Sequence, residues 1–213
     1  MTKNKRSILY HFDPLCGWCY GFLPTAKKIR STLSDSYHWI MAPGGLVVGE
    51  RVAPIGQFRD YLLHGFKAVE ARTGVKPGEK FIDGLLKKGD YIADSEPPSR
   101  AIVIAQDDYP DRSFAFAHAL CQAHYQEGLP LDAEETLRFA ADQANIPSDE
   151  LLSSWHSEAA KQRVQECFLY YRRLGLRSFP SLAFLEHNSI KTICSGFSDS
   201  ESILSQIDVL INH

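Results

Sequence analysis

Apolar and polar positions run along this chain with a period that changes from one stretch to the next. Ile8, Leu9, Tyr10 and Phe12 form a short, nearly continuous apolar run. That pattern predicts a buried strand over residues 7–13, ended at Asp13-Pro14 because proline has no N–H to give a ladder. From 16 to 33 the period lengthens: Phe22, Leu23, Ala26, Ile29 and Leu33 recur at helical spacing. Ser34-Asp35-Ser36 breaks the helix. Trp39, Ile40 and Met41 predict a second strand over 37–42, closed by Pro43-Gly44-Gly45. A strand, a helix and a strand in this order predict two neighbouring parallel strands.

Over residues 49–166 the pattern is helical throughout and no strand is predicted. Phe58, Tyr61, Leu62, Gly65, Phe66 and Val69 make one stripe, and Phe81, Leu85 and Leu86 a second, short one. Pro97-Pro98 opens a third helix, and residues 114–125 form a fourth that ends near Gly128. Asp132 with Glu135 has the spacing of a capping box for a fifth, running to about Ala144. Ser148 is the expected cap of a long last helix, or of two in line, through Tyr171 to Gly175. The α/β pattern then returns, with strands at 182–185 and 191–194 around a turn at His187-Asn188-Ser189. Ser198 and Glu201 read as the capping box of a final helix carrying Ile203, Leu204, Ile207, Leu210 and Ile211.

The chain has 213 residues, 44% of them hydrophobic, enough for a sizeable core. Its net charge of −3 calls for neither nucleic acid nor an anionic membrane as a partner. No apolar run approaches the roughly 20 residues of a membrane helix. The basic stretch Met1-Thr2-Lys3-Asn4-Lys5-Arg6 is followed by too few apolar residues for a secretory signal, so a cytoplasmic location is expected. Thiols stay reduced there, which makes a close cysteine pair catalytic or metal-binding rather than structural.

Such a pair is present in Asp13-Pro14-Leu15-Cys16-Gly17-Trp18-Cys19-Tyr20. Cys16 falls where a strand has ended and a helix begins. Unpaired backbone N–H groups and the helix dipole favour a thiolate at that position. Cys16 is therefore the expected attacking sulfur. Cys19, one turn deeper, is the expected resolving sulfur. The alternative is half of a zinc site, which needs two more ligands at close spacing. The other three of the five cysteines stand singly, and the eight histidines offer no such pair beside a cysteine. No metal is expected.

Cys121, Cys167 and Cys194 read as inert core thiols, the sharper alternative being an additional redox partner. Asp13 has two readings: a carboxylate that tunes the pair or relays a proton to Cys19, or a cap for the helix start. Trp18 is expected half-exposed beside the sulfurs, and His11 to be a satisfied core histidine. Tyr170-Tyr171-Arg172-Arg173 reads as helix surface and core edge, with an anion or glutathione site as the alternative.

With the Cys16–Cys19 stretch, Leu176-Arg177-Ser178-Phe179-Pro180-Ser181-Leu182 completes a recognisable pattern. The chain resembles the DsbA-like branch of the thioredoxin superfamily, in particular its cytoplasmic protein-disulfide isomerases. The resemblance implies an α/β thioredoxin-like fold (βαβ…ββα), with residues 1–48 and 167–213 forming the thioredoxin-like part and 49–166 an all-helical insertion. It implies that Pro180 is a cis-proline facing the pair, that Phe179 offers its backbone to an extended substrate, and that Trp18 borders the same substrate. Arg177-Ser178 stands where relatives commonly have a glycine. Gly17-Trp18 differs from the residue pair of thioredoxin and from that of DsbA.

The function implied is thiol–disulfide exchange with protein or small-molecule disulfides and dithiols. Glutathione or a thioredoxin-type system would serve as reductant, and no dissociable cofactor is needed. Two alternatives remain. Kappa-class glutathione transferases and hydroxychromene-carboxylate isomerases have a similar layout, but carry a serine at the position of Cys16 and lack Cys19. A non-catalytic protein that grips a client through its helical segment is the other.

Overall fold

The computed structural model describes residues 6–33, 36–187 and 189–212. Ser34 and Asp35 of the expected break, Asn188 of the expected turn and the first five residues lie outside them. Four strands, β1 (Arg6–Phe12), β2 (Tyr37–Pro43), β5 (Ser181–Glu186) and β6 (Ser189–Ser195), form one sheet in the order β2-β1-β5-β6. β1 runs parallel to β2 through the helix α1 (Gly17–Leu33) that joins them, and antiparallel to β5, which pairs antiparallel with β6.

β1 divides the core by its period of two. Ile8, Tyr10 and Phe12 join a cluster with α1 and with α8 (Ser200–Asn212) on one face. Leu9 joins Phe168 and Tyr171 of α7 (Glu158–Arg173) on the other. β1 is buried on both faces, which is why its sequence is apolar rather than alternating.

Between β2 and β5 come α2 (Arg59–Thr73), α3 (Glu96–Asp108), α4 (Pro110–Tyr125), α5 (Glu134–Gln143), α6 (Ser148–Trp155) and α7. The segment differs from the expectation in several places. It is not all helical: β3 (Ala53–Pro54) and β4 (Ile92–Ala93) pair antiparallel. Two-residue strands carry no periodicity, so the pattern gave no sign of them. The short helix around Phe81 is π-helical over Lys80–Leu86.

The expected caps also move. α5 starts after Ala133, with no side-chain cap at Asp132. Ser148 is the first residue of α6 rather than its cap. Ser157 caps α7 by accepting the Ala160 N–H at 3.1 Å. At α8 the accepting side chain is Asp199, bonded to the Ser202 N–H at 2.9 Å, not Ser198. One apolar cluster runs from the sheet through α1 into the insertion, where Phe66, Phe81 and Tyr125 pack on one another beside Cys16 and Tyr20.

Candidate functional site around the cysteine pair

Asp13, Pro14 and Leu15 turn the chain from β1 into α1. The Cys16 N–H donates to the Asp13 carbonyl at 3.0 Å, and the Cys16 carbonyl accepts from Tyr20 at 3.0 Å. Cys16 therefore occupies the half-in position at the helix start. The Cys19 N–H, one of the orphan donors of the first turn, points at Cys16 Sγ at 3.4 Å. Cys16 retains 8% of its surface exposed and Cys19 none. Both are free thiols. Burial first, and then the neighbouring Cys16, push the Cys19 thiol well above its ordinary acidity range. Such an arrangement supports disulfide exchange: the less buried sulfur is aimed at by a backbone donor, with a fully buried protonated thiol one turn behind it.

Asp13 is fully buried and its carboxylate is fully engaged. Oδ1 accepts the Leu15 N–H at 3.0 Å and the Ser95 hydroxyl at 2.8 Å, and Oδ2 accepts the Leu46 N–H at 2.7 Å. One side chain thus ties the cysteine turn to the loop after β2 and to the insertion. Burial raises its pKa to about 6, against the pull of these hydrogen bonds and of Arg51.

Phe179-Pro180 is a cis peptide at the start of β5. Phe179 and Trp18 line one cavity together with Gly196, Phe197 and Arg72. Trp18 is half-buried, its ring centroid 6.1 Å from that of Phe197. Cys16, Cys19, Trp18, Phe179 and Asp13 are thereby gathered at one end of the sheet.

Several residues here were not singled out by the pattern. Ser95 bonds Asp13 across 82 positions of sequence. Phe197 packs on both Trp18 and Phe22, and Arg72 lies over it at 5.8 Å. His11 is the core histidine expected, 2% exposed, with Nδ1 2.8 Å from the Ala42 carbonyl. Burial lowers its pKa to about 4. It has a further role that its sequence position does not disclose, because its ring stacks on Phe179. None of these contacts has a local sequence signal.

Burial weakens the acidity of the remaining thiols, pushing Cys194 up to about 11 and Cys121 and Cys167 in the same direction. Among the described residues no group of three or more His, Cys, Asp or Glu side chains is placed to hold a metal ion. No helix among them is long and apolar enough to cross a membrane.

No family model matches the chain. Among curated proteins it is similar to the ClpXP adapter protein SpxH of Halalkalibacterium halodurans, 22% identical over 191 residues, covering 87% of this chain but 61% of that protein. The match thus spans less than two thirds of that relative's length. Among solved structures it is similar to a candidate protein disulfide isomerase from Nitrosomonas europaea, with TM-score 0.84 and 25% identity over 98% of both chains. The cytosolic disulfide reductase DsbM from Pseudomonas aeruginosa superposes with TM-score 0.79 and 20% identity over 97% of this chain and 98% of that one, and has also been solved with GSH. A 2-hydroxychromene-2-carboxylate isomerase shares the fold at TM-score 0.60 and 12% identity, over 97% of this chain and 95% of that one. In its parallel β1-α1-β2 unit, its antiparallel β5-β6 pair and the helical segment between them, the chain has the thioredoxin-like fold of these DsbA-like disulfide oxidoreductases.

Proposed function

We propose that the protein is a thiol–disulfide oxidoreductase in which Cys16 attacks and Cys19 resolves. The observation that carries this reading is the asymmetry of the pair. Cys16 keeps 8% of its surface exposed and receives the Cys19 N–H, whereas Cys19 is wholly buried and held as a thiol. The Cys16 thiolate attacks one sulfur of a substrate disulfide and expels the other as a thiolate, leaving a mixed disulfide. Cys19 then gives up its proton, its sulfur attacks Cys16 Sγ, and the substrate leaves as a thiol. Two electrons pass from the pair to the substrate, and a reduced thiol such as glutathione, or a thioredoxin-type protein, returns them. Trp18 and the Phe179-Pro180 backbone border the substrate, and Asp13 holds the turn in place.

Protein or small-molecule disulfides are the substrates in this reading, and the cytoplasm is the location. DsbM, described as a cytosolic disulfide reductase and solved with GSH, supports these last points by analogy. The test is equilibration in glutathione buffers, read by Trp18 fluorescence and by mass after acid trapping. A two-electron couple between Cys16 and Cys19 is expected. It should be lost in Cys16→Ser, and a mixed disulfide should accumulate on Cys16 in Cys19→Ser. Absence of the couple overturns the reading. A couple near about −270 mV marks a reductant, and one near about −120 mV an oxidant.

A second reading has one observation in its favour, the likeness to an adapter protein. In that reading the helical segment grips a client without redox chemistry. Client binding that survives Cys16→Ser/Cys19→Ser supports it.

A further inference from the structure

Phe179 is a wall between two cavities. On one side is the space beside Trp18 and Phe197. On the other is a cavity of about 390 Å³ bounded by Gly44, Gly45, Phe168 and three arginines, Arg51, Arg172 and Arg177. The three come from separate elements: the turn after β2, the last turn of α7 and the loop before Phe179. All three are exposed. Arg51 donates to the Gly45 carbonyl at 3.2 Å. No acidic side chain lines the cavity, and among the described residues none of the three arginines forms an ion pair.

Three guanidinium groups around one concavity repel one another and focus a positive field into it, in a chain whose net charge is −3. That combination is unfavourable for the empty cavity and favourable for a bound anion. Guanidinium groups pair with carboxylates in a bidentate fork. The volume lies within the range of small-molecule sites. Arg51 is also close enough to Asp13 to favour its ionised form, which puts the cavity at the edge of the cysteine turn.

We propose that this pocket holds the carboxylate end of a small anionic thiol or disulfide, so that its sulfur reaches Cys16 past Phe179. The inference rests on the oxidoreductase reading for its meaning, but its test does not. The probe is S-methylglutathione, a thioether that carries the carboxylates and cannot exchange, titrated calorimetrically into the Cys16→Ser/Cys19→Ser protein. Binding is expected to weaken by about tenfold or more on adding Arg172→Gln/Arg177→Gln, the loss of charge-assisted hydrogen bonds. It should weaken similarly when the probe's carboxylates are esterified, and should be partly kept in Arg172→Lys/Arg177→Lys, which also controls for folding.

No binding of the probe, or equal binding by the glutamine variant, overturns the pocket. A probe that binds in this manner to a protein showing no Cys16–Cys19 couple leaves the pocket standing and removes the oxidoreductase reading. A working couple that reduces glutathione disulfide and its esters equally well removes the pocket and leaves that reading intact.

Discussion

His11 stacks on Phe179, with ring centroids 4.5 Å apart and planes inclined by 28°. His11 belongs to β1, which delivers the cysteine turn, and Phe179 precedes the cis-proline, so the stack fixes one side of the site against the other. Burial keeps the imidazole neutral at pH 7, so the contact is one of two uncharged rings. Gly44 makes room for it: a methyl group there would lie 2.1 Å from the Phe179 ring and 2.6 Å from the His11 ring. Gly44→Ala must therefore push Phe179 away. It is expected to cost about 1–3 kcal/mol of stability, as overpacking does, and to slow disulfide exchange well beyond that of a surface control. Denaturant unfolding and single-turnover kinetics check the two effects. Wild-type kinetics in the variant would detach the Phe179 position from function.

Asp13 makes stability depend on pH in an unusual direction. Its folded pKa of about 6 is above the ordinary carboxylate value, so the folded chain binds a proton more tightly than the unfolded chain. The stability this gives is fully present below about pH 4 and is lost as pH rises through about 6. From pH 4 to 7 the wild type should lose about 2 kcal/mol relative to Asp13→Asn. The slope is the quantity to compare, because an amide cannot accept both the Leu15 and Leu46 N–H groups and shifts the absolute values. Parallel pH profiles of urea midpoints for the two proteins would contradict the assignment.

The βαβ start and ββα end were legible because both are read from local periods: the apolar run Ile8 to Phe12, the stripe Phe22 to Leu33, and the turn signal at Pro43-Gly44-Gly45. The cysteine pair announces itself by spacing. The cis-proline was implied by resemblance, and the other reading of Phe179-Pro180 was an ordinary trans-proline starting a strand. What stayed hidden is made by contacts distant in sequence or too brief to have a period. Ser95 on Asp13 and His11 on Phe179 are of the first kind, β3 with β4 of the second. The capping boxes failed differently. Asp132-Glu135 and Ser198-Glu201 match in composition, but α5 begins after Ala133, and Asp199, one residue on from Ser198, has the geometry to accept the Ser202 N–H.

The five thiols should differ sharply in reactivity. Thiolates, not thiols, are alkylated, and burial holds Cys19, Cys121, Cys167 and Cys194 protonated at neutral pH. Brief treatment of the reduced native protein with iodoacetamide is expected to add one label, on Cys16, and denaturation first should allow five. Peptide mass mapping reads the site. A fast label on Cys194, which is half-buried on β6, would place a second reactive thiol on the sheet edge.

Arg100 tests the helical segment apart from the redox centre. It is 7% exposed, pairs with Glu96 one turn earlier in α3 at 3.1 Å, and donates to the Trp155 carbonyl of α6 at 2.7 Å. Its guanidinium lies over the Trp155 ring at 4.4 Å, while the Trp155 indole N–H returns a hydrogen bond to the Pro97 carbonyl at 2.9 Å. Arg100→Met keeps most of the volume but leaves the Glu96 carboxylate and a carbonyl without their donor. Breaking a buried pair from one side costs about 3–5 kcal/mol. The Glu96 side chain is 17% exposed, so the lower end is expected, about 3 kcal/mol. In that variant Glu96 takes up a proton more readily when folded than when unfolded, so part of the loss should return as pH falls from 7 towards 5. Adding Glu96→Gln removes the orphaned charge and should recover stability at pH 7. Urea midpoints at unchanged m-value measure all three proteins. A double variant no more stable than Arg100→Met would mean that the stacking on Trp155, and not the charge pair, joins α3 to α6.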